Sequence, residues 1–333
     1  MNEADVIIHA PGGPSIGDIY GRKLQWELPY LYDLFLAEIL KKPVFFYAPS
    51  MGPFLNRIRN IIRKIILKKA MAIVVRDVFS AKYLEEQLGI RAYVALDSVF
   101  QDDVLGFNYI LEVYSNGNGV KCLLEKLKKE RVIGITISDL RWHVVYSQFP
   151  DLRNRIIESF TKVLMYLTNR GYQVLLIPHL FGERYEYAYQ EFMQLTNFQK
   201  LNKEMIFILP KEMNSYVQQA IVSKLYCVIS IRYHPIVYAA KANVPFIAIY
   251  YEHKQKGFVE MVGLEEFAIP IEEINANKLI KCFTLLERNY DLVKRHLEKK
   301  GPQLKQRSVM TIKVLRRLLE AKKLMEVNTD RNS

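Results

Sequence analysis

Cysteine is scarce in this sequence. The 333 residues include only three cysteines, Cys122, Cys227 and Cys282, and these lie far apart along the chain. Such wide spacing fits neither a disulfide framework nor a clustered metal site. We therefore expect the protein to work in a reducing compartment, without a metal or any other cofactor.

Long apolar runs and low-complexity tracts are missing as well. With 15 glycines, 13 prolines and no repetitive stretch, the chain should be folded along most of its length. The N-terminus enters the strand-like run Val6–Ile8 without a basic segment and a long apolar stretch, so no secretory signal is visible. No window approaches the roughly 18 consecutive apolar residues of a membrane span. We expect a cytoplasmic protein.

The chain is nevertheless rich in hydrophobic residues, and it is strongly basic. Hydrophobic residues make up 50% of it, and its length favours two domains. The net charge of +12 is compatible with nucleic acid, an anionic membrane surface or phosphorylated small molecules as partners. Because the basic residues are scattered and no aromatic–basic stacking motif is present, we expect no nucleic-acid partner.

Short β-branched or aromatic runs alternate with longer amphipathic ones, which is typical of parallel sheets covered by helices. The predicted strands are Val6–Ala10, Pro43–Ala48, Ala72–Val75 and Ala92–Leu96 in a first series, and Arg131–Ile137, Gln173–Ile177, Met205–Leu209, Tyr226–Ile231 and Pro245–Tyr250 in a second. We therefore predict an α/β protein with two Rossmann-like domains, each built on a parallel sheet.

The domain junction is predicted close to the turn-forming sequence Asn116–Gly119. We place an N-terminal domain at 1–128, a C-terminal domain at 129–290 and basic helices at 291–333. The tail from Asn275 onward is predicted to form two or three helices broken near Gly301–Pro302. Since ligands of such sheets bind at the carboxyl ends of the strands, candidate site residues should follow predicted strands.

Arg232 and His234 follow the predicted strand that ends at Ile231, and Pro235 comes next. Proline suits the first helical position, so we place His234 at the N-cap of a helix. A guanidinium, an imidazole and a positive helix end would then share one cleft and could bind phosphate or carboxylate. The alternative is that Arg232 pairs with a structural carboxylate and His234 only caps the helix. Spacing alone favours this alternative.

Four more polar residues follow predicted strands of the second series. Glu252 and Lys254 could face the same ligand, or they could form an exposed ion pair of little energetic value. Arg141 follows the first of these strands, and a second guanidinium would suit a ligand with two anionic groups. His179 also ends a strand and could line the cleft, although a lone histidine at such a point is usually structural.

Glycines follow predicted strands in the first series, namely Gly12, Gly13 and Gly52. Glycine at this position permits a tight turn and the close approach of backbone N–H groups to a ligand, although turns use glycine in any case. Asp77 and Ser80 follow the next strand and are predicted to form the N-terminal cap of a helix.

The segment Asn56–Lys69 has the pattern of a basic amphipathic helix. Five isoleucines recur at helical spacing, with six basic residues around them. Such a helix can lie on anionic lipid, and the protein would then contact the inner face of a membrane peripherally. The ordinary interpretation, which the pattern favours, is a helix whose isoleucines pack in the core and whose basic face is solvated.

Together these segments resemble the polysaccharide pyruvyl transferases. The matching pieces are ADVIIHAPGG, YAPSMGP, VVRDVFSAKYLEEQLGI, ISDLR and IRYHPIVYAAKANVPFIAIYYEHKQKGF, of which the last is the most specific. The resemblance extends from Ala4 to about Gly263. It implies a two-domain fold similar to the glycosyltransferase B type, with an N-terminal domain that lacks its usual first βα unit.

The resemblance also implies an activity. Members transfer the pyruvyl group of phosphoenolpyruvate to a sugar as a ketal, so the expected partners are phosphoenolpyruvate and a bacterial surface or extracellular glycan, which could be lipid-linked. Carried over residue by residue, the donor would be bound by Arg141, Arg232, the backbone of Tyr233 and His234. His234 would be the catalytic proton donor, since the ordinary histidine pKa of about 6.5 suits proton transfer near neutrality.

Two other functions stay open. A nucleotide-sugar glycosyltransferase of similar form would use a basic strand-end cluster to bind a diphosphate, and sugar-nucleotide binding or hydrolysis would identify it. A degenerate, non-catalytic family member would bind a phosphorylated ligand with normal affinity but without turnover on any acceptor.

Overall fold

The computed structural model describes residues 3–10, 16–18, 27–106, 125–127, 131–138, 140, 143, 145–177, 201–209 and 214–331. The chain forms two compact units, the first made of residues 1–102 and 303–333 and the second of 103–302. Each unit is built on its own parallel sheet, as predicted. The turn at Asn116–Gly119 lies outside the described residues, and the predicted domain boundaries stay a prediction.

The first unit contains a four-stranded sheet in the order β1-β2-β3-β4, in which all neighbours are parallel. Its elements are β1 (Ile7–His9), α1 (Leu28–Ile39), β2 (Val44–Tyr47), α2 (Arg57–Leu67), β3 (Ala72–Val75), α3 (Val78–Leu88) and β4 (Tyr93–Val94). Successive side chains of a strand point to opposite faces. Phe46 and Val75 therefore pack with the helices, whereas Phe45 and Val74 pack against residues of the C-terminal helix such as Leu315.

Side-chain caps set the ends of the helices in this unit. The Asn56 side chain accepts a hydrogen bond from the N–H of Arg59 and begins α2, and Asp77 accepts from the N–H of Ser80 and begins α3. The predicted cap at Asp77 and Ser80 is thus confirmed. Helix α3 ends at Gly89, whose φ of 65° is left-handed and favours glycine.

The second unit contains a six-stranded parallel sheet in the order β10-β9-β8-β5-β6-β7. Its strands are β5 (Val132–Thr136), β6 (Gln173–Leu176), β7 (Ile206–Ile208), β8 (Cys227–Ser230), β9 (Phe246–Tyr250) and β10 (Ala268–Pro270), and its helices include α4 (Pro150–Asn169), α5 (Ser215–Val222), α6 (Tyr233–Lys241), α7 (His253–Val262) and α8 (Ala276–Arg288). The strand order runs outward in opposite directions from β5 and β8, which makes this pair the topological switch point where open sheets bind ligands.

The C-terminal helix α9 is continuous from Tyr290 to Arg331. The predicted break near Gly301–Pro302 is wrong. A proline inside a helix removes a hydrogen bond and costs about 3 kcal/mol. Here Leu297 and Leu304 are buried on either side of the proline, and their packing offsets that cost. Further along, the Ser308 hydroxyl donates to the carbonyl of Asp97 at 2.7 Å and ties the helix to the first sheet.

Helix α2 directs a different face to the core from the one that its sequence pattern favoured. Its buried side carries Arg63 and Leu67. The exposed apolar residues in and just before the helix are Leu55, Ile58, Ile61, Ile62 and Ile65. Of the five isoleucines predicted to pack in the core, only Ile66 does so, and the prediction is wrong for the other four. The physical reason is that Arg63 forms ion pairs with the buried carboxylates of Asp18 and Glu27, and this pairing holds the basic residue inward.

Within the part of the chain that the structure describes, no helix has both the length and the apolar composition needed to cross a bilayer.

Candidate functional site

The turn after β8 brings a guanidinium to the carboxyl edge of the second sheet. The Ser230 hydroxyl accepts the N–H of Arg232 and donates to the carbonyl of the same residue, both at 2.9 Å, and so fixes the turn into α6. Arg232 itself is buried. The turn lies between the ends of β5 and β9, because β8 pairs with both strands.

Helix α6 begins earlier than predicted. Arg232 is its N-cap and Tyr233 its first residue, so His234 is the second helical residue and not the cap. Pro235 fits the third position because the first N–H groups of a helix have no intrahelical acceptor to lose. The predicted N-cap at His234 is wrong, but the predicted position of His234 near the N-terminus of the helix is correct. The side chain of His234 still lies in the first turn, at the positive end of the helix.

Three side chains from the ends of β5 and β9 form a buried cluster. The Lys254 Nζ lies 2.5 Å from one carboxylate oxygen of Glu252, and the Nε2 of His143 lies 3.7 Å from the other. All three side chains are buried. Because a buried charge is costly without a counter-charge, the ion pair fixes the position of the ammonium group.

Arg232 belongs to the same electrostatic cluster. Burial lowers the pKa of His143, attraction to Glu252 opposes this effect, and repulsion from Lys254 and Arg232 adds to the lowering. The imidazole of His143 is therefore neutral at pH 7. The Arg232 guanidinium also donates to the Tyr251 hydroxyl at 3.4 Å. The structure thus brings cationic groups from two neighbouring strand ends close to the His143 ring.

Aromatic rings line the cluster. The rings of Tyr146 and Tyr251 lie 4.9 and 5.5 Å from the ring of His143. The Tyr146 hydroxyl donates to the Glu272 carboxylate at 2.6 Å and to the Tyr251 carbonyl at 3.3 Å. Burial raises the pKa of Tyr146, and the hydrogen bond and charge of Glu272 raise it further, so the hydroxyl stays protonated. These rings shield the charged groups from water, which strengthens the electrostatic interactions among those groups.

Gln255 connects the two strand ends that carry the cluster. Its amide N–H donates to the carbonyl of Ile231 at 2.7 Å, and its amide oxygen accepts the N–H of Tyr251 at 3.1 Å. The residue is completely buried in α7. A single side chain therefore holds the backbone before Arg232 and the backbone before Glu252 in register.

Substitution Gln255→Leu is expected to destabilise the protein by about 1–3 kcal/mol, because it leaves a buried carbonyl and a buried N–H without their partner. Denaturant unfolding would measure the loss. The control Gln306→Leu removes an exposed glutamine of α9 and should cost less than about 0.5 kcal/mol. Equal stability of the Gln255→Leu protein and the control would contradict the connecting role.

Five of the predicted site residues lie at or beside this cluster. They are Arg232, Tyr233, His234, Glu252 and Lys254. The Lys254 Nζ lies 6.0 Å from the centre of the Tyr233 ring, and the half-buried His234 ring lies 5.3 Å from that ring. Arg141, His179, Gly12 and Gly13 lie outside the described residues, and their roles stay predictions.

Gly52 lies in the first unit, in a tight turn. Its φ is 80°, and a Cβ atom there would come within 2.8 Å of the Tyr83 side chain. Its N–H donates to the carbonyl of Ile16 at 2.8 Å. Conformation and packing thus explain the glycine, and its suggested place in a ligand cleft stays a prediction.

Sequence reasoning assigned no role to His143, Tyr146, Tyr251 or Gln255. His143 and Tyr251 follow β5 and β9 closely, so the strand-end rule that selected Glu252 could have found them. Tyr146 and Gln255 carry no such signal, because their hydrogen bonds depend on how the loops and α7 fold back. Among the described residues, no group of three His, Cys, Asp or Glu side chains is placed to hold a metal ion. Metal independence stays a prediction.

Two comparisons with known sequences both indicate proteins of polysaccharide biosynthesis. The sequence profile of the family described as polysaccharide pyruvyl transferase matches residues 3–253. The amylovoran biosynthesis protein AmsJ of Erwinia amylovora is 22% identical over 303 residues, which cover 89% of this chain and 69% of that protein.

Comparisons with solved structures concern the fold. The UDP-GlcNAc 2-epimerase of Neisseria meningitidis, bound to UDP-GlcNAc, has a TM-score of 0.56 at 11% identity and covers 95% of this chain and 76% of its own. MnaA of S. aureus with UDP has a TM-score of 0.59 at 12% identity and covers 95% and 77%. An α,α-trehalose-phosphate synthase of Burkholderia xenovorans has a TM-score of 0.56 at 13% identity, covering 95% and 73%. The predicted similarity to the glycosyltransferase B-type fold is confirmed.

Proposed function

Because the chain belongs to the polysaccharide pyruvyl transferase family, we propose that it transfers the pyruvyl group of phosphoenolpyruvate to a sugar of a bacterial surface or extracellular polysaccharide. The family makes it a transferase of polysaccharide biosynthesis. The identity of the donor, the ketal product and a sugar acceptor that could be lipid-linked are the proposal.

The buried cluster at the ends of β5, β8 and β9 carries this proposal. Arg232, Lys254 and the first turn of α6 all present positive charge or N–H groups at one edge of the sheet. Phosphoenolpyruvate carries a phosphate and a carboxylate. A planar guanidinium binds either group through two parallel hydrogen bonds, and a helix N-terminus binds anions through its first N–H groups.

Ketal formation requires three changes at the donor. A proton is added to the methylene carbon of phosphoenolpyruvate, and a sugar hydroxyl oxygen bonds to the neighbouring carbon. A second hydroxyl of the same acceptor then displaces phosphate and closes the ketal ring. Two O–H protons leave the acceptor, and the methyl group gains one proton, so the balance is one proton released with phosphate.

Each of these changes can be assigned to a residue of the site. His234, in the first turn of α6, is the proposed proton donor to the methylene carbon. Arg232, with Arg141 as the predicted second guanidinium, would hold the carboxylate and phosphate and stabilise the phosphate as it leaves. Lys254, which pairs with Glu252, and the Tyr233 N–H would add to that anion site.

The test is phosphate release from phosphoenolpyruvate in the presence of galactose-, mannose- or N-acetylmannosamine-containing acceptors. We expect release that depends on the acceptor, and a fall of about 10²–10⁴-fold in kcat for His234→Ala, because a general acid contributes that much. The control is His296→Gln, since the Nε2 of His296 contacts the carbonyl of Val262 at 2.8 Å and a glutamine can keep a polar contact there.

The other outcomes are equally informative. Full activity of the His234→Ala protein would refute the acid role and leave the family assignment intact. Phosphoenolpyruvate binding without turnover on any acceptor would indicate a non-catalytic family member. Hydrolysis of a nucleotide sugar, with no phosphate release from phosphoenolpyruvate, would indicate a glycosyltransferase instead.

A further inference from the structure

The exposed face of α2 is apolar, which is the reverse of an ordinary surface helix. Ile58, Ile61, Ile62 and Ile65 are 78%, 61%, 53% and 57% exposed, and Leu55 just before the helix is 70% exposed. These side chains lie on one face because their spacing follows the helical repeat. We call Leu55 and the four isoleucines the isoleucine face.

Helix α1 packs beside α2 and leaves further apolar side chains exposed. Tyr32, Phe35 and Ile39 are 64%, 53% and 59% exposed. The two helices are joined at both ends of α1, by the ion pair of Arg63 with Glu27 and by that of Lys69 with Glu38. The isoleucine face is therefore held on a folded unit by one buried ion pair, that of Arg63, and by one exposed ion pair, that of Lys69.

Cations flank the isoleucine face. Arg57, Lys64, Lys68 and Lys69 are exposed, and the sequence from Ile39 to Arg76 contains no acidic residue. At 100° per residue, Arg57, Lys64 and Lys68 lie along one border of the isoleucine face. The acidic residues Asp18 and Glu27 pair with the inward-pointing Arg63 and not with these exposed cations.

We propose that the isoleucine face and its cationic border bind the surface of an anionic phospholipid bilayer. Aliphatic side chains would enter the boundary between headgroups and acyl chains, and the long Lys and Arg side chains would reach the phosphates. Charge complementarity selects this occupant. Protein interfaces are depleted in lysine, whereas this helix combines exposed isoleucines with a border that includes Lys64 and Lys68.

This surface lies wholly in the first unit, and the proposal stands independently of the donor chemistry assigned to the second unit. The proposal would place the transferase at a membrane surface. A transferase held at a bilayer by α2 would meet an acceptor that is itself carried by a lipid.

The test is flotation of the full chain with vesicles of phosphatidylcholine alone and with vesicles that also contain phosphatidylglycerol. We expect binding to the anionic vesicles only, weakened by added salt because exposed charges are screened. The double substitution Ile61→Asn with Ile65→Asn should lower the bound fraction about tenfold or more, because two buried side chains are lost from the lipid. Lys64→Gln with Lys68→Gln should weaken binding to the anionic vesicles as well.

The control is Leu292→Asn with Ile312→Asn in α9, where the two side chains are 61% and 43% exposed and lie outside the isoleucine face. This protein should bind vesicles like the unmodified chain. All the variants change exposed side chains, so their melting temperatures should agree.

Three results would overturn the proposal. The first is an unmodified chain that stays unbound with anionic vesicles at low salt. The second is binding that survives the loss of both isoleucines, which would indicate charge attraction without insertion. The third is isoleucine-dependent self-association without vesicle binding, which would assign the isoleucine face to a second copy of the chain.

Discussion

Replacing Arg63 by methionine is expected to destabilise the protein by about 3–5 kcal/mol, because a buried ion pair loses one partner and leaves its counter-charges behind. All five N–H groups of the guanidinium have acceptors, on Asp18, Glu27 and Asn60, at 2.7 to 3.0 Å. The Arg63 side chain is completely buried, and those of Asp18 and Glu27 are nearly so. The measurement is denaturant unfolding at neutral pH.

Arg59→Met is the matched control for this substitution. Arg59 lies on the same helix and pairs with the same carboxylate, but at 3.4 Å and with a partly exposed side chain. Its loss should cost no more than about 1 kcal/mol. Similar costs for the two substitutions would contradict the central role of Arg63.

The pH dependence gives the Arg63 prediction a second readout. Burial tends to raise the pKa of Asp18, but hydrogen bonds from Arg63, Asn56 and Leu55 and the charge of Arg63 outweigh this effect and lower it. Asp18 therefore stabilises the fold above its unfolded pKa, and this stability is lost as pH falls through the lower folded pKa. Without Arg63 the pKa of Asp18 is no longer held low, so the substituted protein loses less of this stability in acid. The cost of Arg63→Met should thus shrink as the pH falls below the ordinary Asp pKa of about 3.9.

The strands of this fold could be predicted from sequence, because a buried parallel strand has a local signature. Nine predicted strands correspond to β1 through β9, each within a few residues of the predicted bounds. Strand β10 (Ala268–Pro270) was missed because it ends in a proline, and a proline within a short apolar run is evidence against a strand.

The orientation of α2 could not be predicted in the same way. Helical spacing shows that the isoleucines share a face, but it does not show which face points inward. That choice depends on Asp18 and Glu27, which approach Arg63 from distant parts of the chain. A buried Arg with three polar partners outweighs the burial of the isoleucines, and only the tertiary structure shows those partners.

The candidate site, too, could be predicted from the sequence only in part. Arg232, Glu252 and Lys254 could be selected from the sequence because they follow strands, and strand ends of a parallel sheet meet at one edge. The contact of Glu252 with His143 and the link made by Gln255 could not, since both depend on side-chain directions after the chain has turned. The strand ends therefore allowed three residues of the cluster to be selected from the sequence. The contacts of the cluster depend on the turns and could not be predicted.

If the proposed function is correct, substitution Arg232→Ala is expected to lower kcat/KM for phosphoenolpyruvate by about 10²–10³-fold, because the guanidinium proposed to bind and stabilise the departing phosphate is lost. Arg232→Lys should recover only part of this loss, since an ammonium keeps the charge but not the paired hydrogen bonds. The control is Lys256→Met, which removes an exposed positive charge from α7, two residues from the buried Lys254. This control should retain near-normal kinetics.

The separate values of kcat and KM show how Arg232 acts. If it only holds the donor in the ground state, KM rises and kcat is unchanged, whereas stabilisation of the leaving phosphate lowers kcat. We expect both changes, because Arg232 lies at the N-cap of α6, two residues before the proposed proton donor His234, and acts on His143 together with Lys254 and Glu252. Unchanged kinetics for Arg232→Ala, with a normal melting temperature, would mean that the residue is only structural, which is the alternative that its spacing alone favoured.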